Sequence, residues 1–228
     1  MREARIKVLN MLKQSMAERD YRFRVAADRF WRTEGDFTFH WQCRFLSGSS
    51  SVEVEANMGI RSEVIERIFH QTSTFAPAHQ RGTSTLGGSL ANLEGVALRT
   101  YTFPVMTDDD VRPVAEQLVA LFDAKAVPYF DRYGSLQMID HVLNDDPSKY
   151  TPNCPYGLPR ETRGLIVAKL VGRSSYGELE AYYRSRLVKL NDGFYAPQFE
   201  ALVASIATLE SMVNCTTVRL KSRTISIG

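Results

Sequence analysis

The chain has 228 residues, of which 44% are hydrophobic and 24% charged, with a formal net charge of +2. That is enough apolar material for a real core, and disorder is not the default reading. The near-neutral balance supplies no global field to recruit nucleic acid or an acidic membrane.

Residues 2–19 read as an amphipathic helix, with Ile6, Leu9, Leu12 and Met16 on one stripe. Tyr21, Phe23 and Val25 alternate with Arg22 and Arg24, giving a first strand, and Phe30-Trp31 extends it or begins a second piece. Gly35-Asp36 signals a turn. Over 36–46, Phe37, Phe39, Trp41, Cys43 and Phe45 point one way, and Thr38, His40, Gln42 and Arg44 the other. After a Ser/Gly turn, Val52, Val54, Ala56 and Met58 repeat the pattern, and Gly59 closes this antiparallel meander. A short helix from Glu63 to His70 leads into 71–95, a Thr/Ser/Gly-rich stretch read as a long loop. Val96, Leu98, Thr100 and Thr102 suggest one more strand, ended by Pro104.

The second half reads as helical. Thr107 with Asp110 fits a capping box ahead of the stripe Val111, Val114, Leu118 and Leu121, and Val127-Pro128 breaks that helix. Ser135 caps another, with Leu136, Ile139 and Leu143 buried. Four prolines in 144–160 make the strongest break in the chain. Three helices follow. The first is marked by Leu165, Ile166 and Leu170, and the second is capped by Ser175 with Glu178; the third runs near 197–213. The fold class is therefore α+β, an N-terminal helix packed on a mainly antiparallel sheet and followed by a helical C-terminal half. We read 1–228 as a single domain, with an α/β part over 1–104, a helical part over 105–214 and a tail over 215–228.

Chemistry is sparse. Gly82 to Ser89 copies the spacing of a phosphate-binding loop, but Gly88 stands where the lysine must be, and no buried strand precedes it. Cys43, Cys154 and Cys215 form no CxxC pair, and the four histidines show no ligand spacing; neither a metal nor a cofactor is expected. No GxSxG elbow occurs, so no catalytic residue is assigned. Basic-aromatic alternation is confined to residues 21–24 and 29–32, where strand aromatics belong to the core, so nucleic acid is not an expected partner. The polar strand face of His40, Gln42 and Arg44 is a possible groove. Charge is uneven: residues 1–35 hold nine Lys/Arg against five Asp/Glu, and 106–150 hold nine Asp/Glu against four Lys/Arg. The acidic segment suggests a surface for a partner, with Asp108, Asp109, Asp110, Asp145, Asp146, Tyr150 and Tyr156 as contact candidates. No window approaches the roughly 18 apolar residues of a membrane span, and the N-terminus lacks the apolar run of a signal peptide. The expected compartment is the cytoplasm.

The basic N-terminal helix, the aromatic RFWR strand, the long strand ending Asn57-Met58-Gly59-Ile60 and the later Ala126-Val-Pro-Tyr-Phe-Asp-Arg-Tyr133 together resemble uncharacterised bacterial domain families that include immunity proteins of polymorphic toxin systems. The resemblance covers roughly residues 1–145 and is one of pattern. It implies a non-enzymatic protein that neutralises a cognate toxin, encoded by a neighbouring gene, by occluding its active site. The alternative is an enzyme acting on a nucleotide or small phosphorylated substrate through the His40 face and the 71–95 segment.

Overall fold

The first helix, α1 (Arg2–Ala17), turns Val8, Leu9, Leu12 and Met16 into the core. Ile6, expected on that stripe, is 43% exposed. Val8 takes its place because Val8, Leu12 and Met16 follow one another at four-residue spacing, one above the next on a helix face. The computed structural model describes residues 2–47, 51–154 and 157–208, and the architecture is α+β: α1, an antiparallel sheet, then helices.

The sheet runs β1 (Arg22–Arg24), β2 (Arg29–Glu34), β3 (Phe37–Ser47) and β4 (Val52–Ser62) in sequential antiparallel order. The far edge of β4 is shared end to end by two short strands. β5 (Leu86–Ser89) pairs with Asn57–Ile60, and β6 (Thr102–Val105) pairs with Val52–Glu55. Phe39, Trp41 and Cys43 of β3 are buried on one face, as their alternation predicts.

Three expectations along this stretch are corrected. Gly59 lies inside β4 and does not end it. It faces His40 across the β3–β4 ladder, and a Cβ there would stand 2.5 Å from His40 Nε2, so glycine makes room for the imidazole. Residues 71–95 are not a loop: they hold α3 (Pro77–Gln80), β5 and α4 (Leu90–Glu94). Glycine hid β5, since Gly87 sits at φ +142 and a Cβ would meet the Met58 carbonyl at 2.4 Å, a close approach that composition alone reads as loop. The strand expected from Val96 is instead a 3₁₀ turn over Leu98–Tyr101, and pairing starts only at Thr102 and runs through Pro104 to Val105.

Ser62 caps α2 (Glu63–Phe69). The Thr107–Asp110 capping box is present at a 3₁₀ turn that opens α5 (Val111–Leu121). Pro128 does not break the chain's helical course. A π turn over Phe122–Ala126 joins α5 to α6 (Val127–Tyr133), with the Val127 amide donating to the Phe122 carbonyl five residues back. The widened turn absorbs the missing proline donor and the crowding its ring imposes on the preceding turn. Phe122, Ala126, Tyr129 and Phe130 are thereby all buried.

Ser135 caps α7 (Leu136–Asn144) as expected. Then come α8 (Leu158–Leu170), α9 (Tyr176–Lys189) and α10, a helix described over 196–208. The Pro-rich segment ends earlier than its prolines suggest, because Pro159 sits in the first turn of α8, where no intrahelical donor is needed. Ser175 makes no cap bond; its hydroxyl accepts from Arg173 Nε at 3.1 Å. The end of the expected third helix and the tail 215–228 lie outside the described residues.

Two apolar clusters result. One packs α1, the sheet, α5, the π turn and α6 around Trp41, whose ring meets Phe122 edge-on at 5.8 Å. The other packs α2 with α7 to α10 around Phe69, Tyr183 and Phe199. The cores thus divide differently from the sequence: residues 111–133 belong with the sheet, and α2 belongs with the C-terminal helices. Among the described residues no helix is long and apolar enough to cross a membrane.

Candidate functional site

Four of the five acidic residues singled out by sequence have intramolecular partners among the described residues. Asp108 pairs with Lys7 Nζ at 2.6 Å. Asp110 accepts from the amides of Thr107 and Met106, at 2.7 and 2.9 Å, which hold its carboxyl below the usual range. Asp109 is exposed. Asp145 is clamped between His141 and Arg173, and Asp146 accepts from Ser148 and Lys149. Tyr150 is 59% exposed, and Tyr156 lies outside the described residues. These groups belong to the start of α5 and to the segment after α7, with each described carboxylate other than Asp109 tied to a partner within the chain.

His40, Gln42 and Arg44 share a sheet face but not a groove. The chain after α3 covers His40, with Ser84 Oγ 3.1 Å from Nε2. Burial, reinforced by Arg29 and Arg61, pushes His40 down to about 3, so its imidazole is neutral. Gln42 donates to the Ala27 carbonyl at 2.9 Å, and Arg44 pairs with Glu55 at 3.1 Å. Gln42 and Arg44 line a shallow cleft of about 490 Å³ with Arg5 and Asp28, of which His40 is not part. The thiol of Cys43 is pushed up to about 12 by burial, which makes it a core apolar group and not a nucleophile.

Sequence missed a buried ionic cluster that ties α2 to α8. Glu66 on α2 is fully buried, and its carboxylate accepts from Arg163 of α8 through Nε at 2.6 Å and Nη2 at 2.9 Å. Thr83 and Thr85 donate to it at 2.6 and 3.0 Å. Burial raises the Glu66 pKa, but His70, Arg163 and Thr83 outweigh it and hold the carboxyl well below its ordinary range. The Arg163 guanidinium also stands 4.3 Å from the centroid of the Phe69 ring.

Phe69 forms part of the lining of a cleft of about 850 Å³. Its wall continues through Leu158 and Pro159 at the start of α8 and is closed by Leu190, Phe194, Tyr195 and Pro197. Apolar lips stand out at its edges: Phe194 is 72% exposed, Phe75 42% and Leu190 39%. Phe75 packs edge-on to Phe69 at 6.1 Å, and Phe194 to Tyr195 at 5.2 Å. The turn that carries Phe194 is strained. Asn191 and Asp192 both adopt left-handed backbone, at φ 49 and 52, and Gly193 follows at φ 76. Two non-glycine residues there cost about 1 kcal/mol or more each. Asn-Asp-Gly before an aromatic pair was the available sequence signal, since these three residue types tolerate that region best.

Among the described residues no group of three or more His, Cys, Asp or Glu side chains could hold a metal ion. Comparison of the chain with family models, with curated proteins and with solved structures finds no match.

Proposed function

We propose that the protein is a binding protein that seats a partner protein in the cleft between Phe69, Leu158 and Phe194. The observation that carries this reading is the strained turn 191–193 holding a phenylalanine 72% exposed at the lip of an aromatic cleft. Exposed contiguous apolar surface marks interaction sites, and aromatic anchors in pockets supply most of the affinity at protein interfaces. Backbone strain concentrated at such a lip fits a functional constraint. The resemblance of residues 1–145 to immunity-protein families supports a toxin as the partner, neutralised in the cytoplasm by steric occlusion.

Co-expression with the product of the adjacent gene tests this. Co-purification and protection from toxicity are expected for the wild type. Phe194→Ser, at an exposed position, is expected to weaken the complex by about 2 kcal/mol, roughly 30-fold in Kd. Absence of both complex and protection, or a complex indifferent to Phe194→Ser and Phe75→Ser, defeats the proposal.

A further inference from the structure

Outside that cleft, the polar face of the sheet, beside the covered His40, carries two arginines without counter-ions among the described residues. Register places Arg24 of β1 directly opposite Arg29 of β2, Arg29 opposite Gln42 of β3, and Gln42 opposite Asn57 of β4. Cross-strand partners point to the same face, so these four side chains form one row. Like charges directly opposite each other are unfavourable, and nothing described relieves this pair: neither Arg24 nor Arg29 has a carboxylate within ion-pair distance among the described residues. Arg29 is half-buried, and among the described residues its side chain bonds to the Gly82 carbonyl at 3.1 Å and to Gln42 Oε1 at 3.5 Å. Two donors in the row, Arg29 Nε and Asn57 Nδ2, are buried with no hydrogen-bond partner among the described residues. Buried donors are normally satisfied, and leaving one bare costs about 1–3 kcal/mol. What the row lacks is an acceptor carrying negative charge.

We propose that this row binds the phosphate group of a small phosphorylated ligand, with Arg29 and Arg24 neutralising its charge. A guanidinium presents its donors in a fork that matches phosphate oxygens. Burial, with Arg24 and Arg61 nearby, already disfavours the Arg29 charge, and an anion relieves that cost. The cationic patch is short. Further along the same face of β4 come Glu53 and Glu55, the latter paired with Arg44. Such a patch suits one phosphate and not the track of a polynucleotide backbone. Trp31 stands in the next row, opposite Arg22, whose guanidinium lies 5.7 Å from its ring centroid. This site uses different elements from the protein-binding cleft and stands independently of it.

Calorimetric titration of the full chain with inorganic phosphate, at constant ionic strength balanced with chloride, tests the site. Saturable binding is expected, weakened about tenfold or more in Arg24→Gln, an exposed position, and lost in Arg29→Gln. The unliganded Arg29→Gln protein is expected to melt at or above the wild-type temperature, because it loses an uncompensated charge. No saturable binding overturns the proposal, as does affinity unchanged in both variants. A lower unliganded melting temperature for Arg29→Gln, with phosphate affinity retained in Arg24→Gln, overturns it too by making Arg29 structural. In a second arm, an oligothymidylate that binds with steep salt dependence, while phosphate fails to compete, replaces the small ligand with a polynucleotide and likewise overturns it.

Discussion

Replacing Glu66 by Gln removes one charge from a buried ion pair and leaves its shape nearly intact. Arg163 then keeps a buried guanidinium, 5% exposed at the side chain, with no formal counter-charge at 2.6–2.9 Å. Breaking a buried pair from one side costs about 3–5 kcal/mol, most of it the desolvation of the stranded partner. With a urea m-value of about 3 kcal/mol/M for a chain of this size, the denaturation midpoint falls by roughly 1–2 M. The double variant Glu66→Met/Arg163→Met should recover most of that loss, since no charge is left stranded. Arg61 keeps Glu63 at 2.9 Å, and Thr83 keeps the Gln80 carbonyl at 2.9 Å. The acid limb of stability supplies a second readout. Because the folded-state pKa of Glu66 lies below its unfolded value of about 4.3, its contribution is complete above that value and is lost as pH falls through the lower folded one. Glu66→Gln should flatten that limb. A single variant within about 1 kcal/mol of wild type, or a double variant no better than the single, would refute the account of this cluster.

His40 predicts a different pH window. Its folded pKa is depressed to about 3, so the unfolded chain takes up a proton below about 6.5 that the folded one refuses. Stability is therefore full above 6.5 and falls by up to about 1.4 kcal/mol per pH unit below it, and denaturation at pH 7 and pH 5 should show His40→Gln losing less than wild type. Gly87→Ala places a Cβ 2.4 Å from the Met58 carbonyl at φ +142, and hydrogen exchange should show β5 detached from β4, with more than about 2 kcal/mol of stability gone; wild-type protection at Asn57–Ile60 would contradict this. Phe194→Ser should leave the melting temperature within the scatter of surface substitutions, about 0.5 kcal/mol, and a larger loss would make Phe194 a packing residue.

What sequence revealed follows from which physical signals are local. Alternation over Phe37–Phe45 and the capping residues Thr107 and Ser135 act within a few positions, and the structure reproduces them. The errors arise where a distant contact decides. Gly59 and Gly87 read as breakers, yet both serve close approaches, to an imidazole and to a neighbouring backbone. Pro128 reads as a stop, yet packing of Phe122 and Phe130 against the sheet favours a π turn over a broken helix. Nor does spacing announce that, in the acidic run 108–110, Lys7, a hundred residues away in sequence, pairs with one carboxylate while the helix start holds another. The cleft and the arginine row were the least legible, because neither has spacing: Phe69, Leu158 and Phe194 meet only in the fold, and Arg24, Arg29 and Asn57 align only through register.

The charged residues at the start of α8 explain how the cleft is held open. Arg160, Glu161 and Arg163 are all buried, an unusual density of charge for one helix interior. Each holds a different neighbour. Arg160 donates to the carbonyls of Leu143 and Lys149, and Glu161 pairs with Arg186 of α9 at 3.4 Å and accepts from the Gly157 amide. Arg163 grips Glu66 of α2 and faces the Phe69 ring. Phe69, Gly157 and Arg186 are themselves cleft residues, so three of its walls are referenced to one helix. A cleft built in this way is organised without an occupant, and binding there would carry little ordering cost. It follows that Glu66→Gln should weaken partner binding even at temperatures where the variant is fully folded, through Phe69 and without touching the lips. Dissociation should be faster, as expected when preformed contacts loosen, while association stays near wild type. An affinity equal to wild type in the folded variant would confine the buried pair to stability and leave the cleft's shape to apolar packing alone.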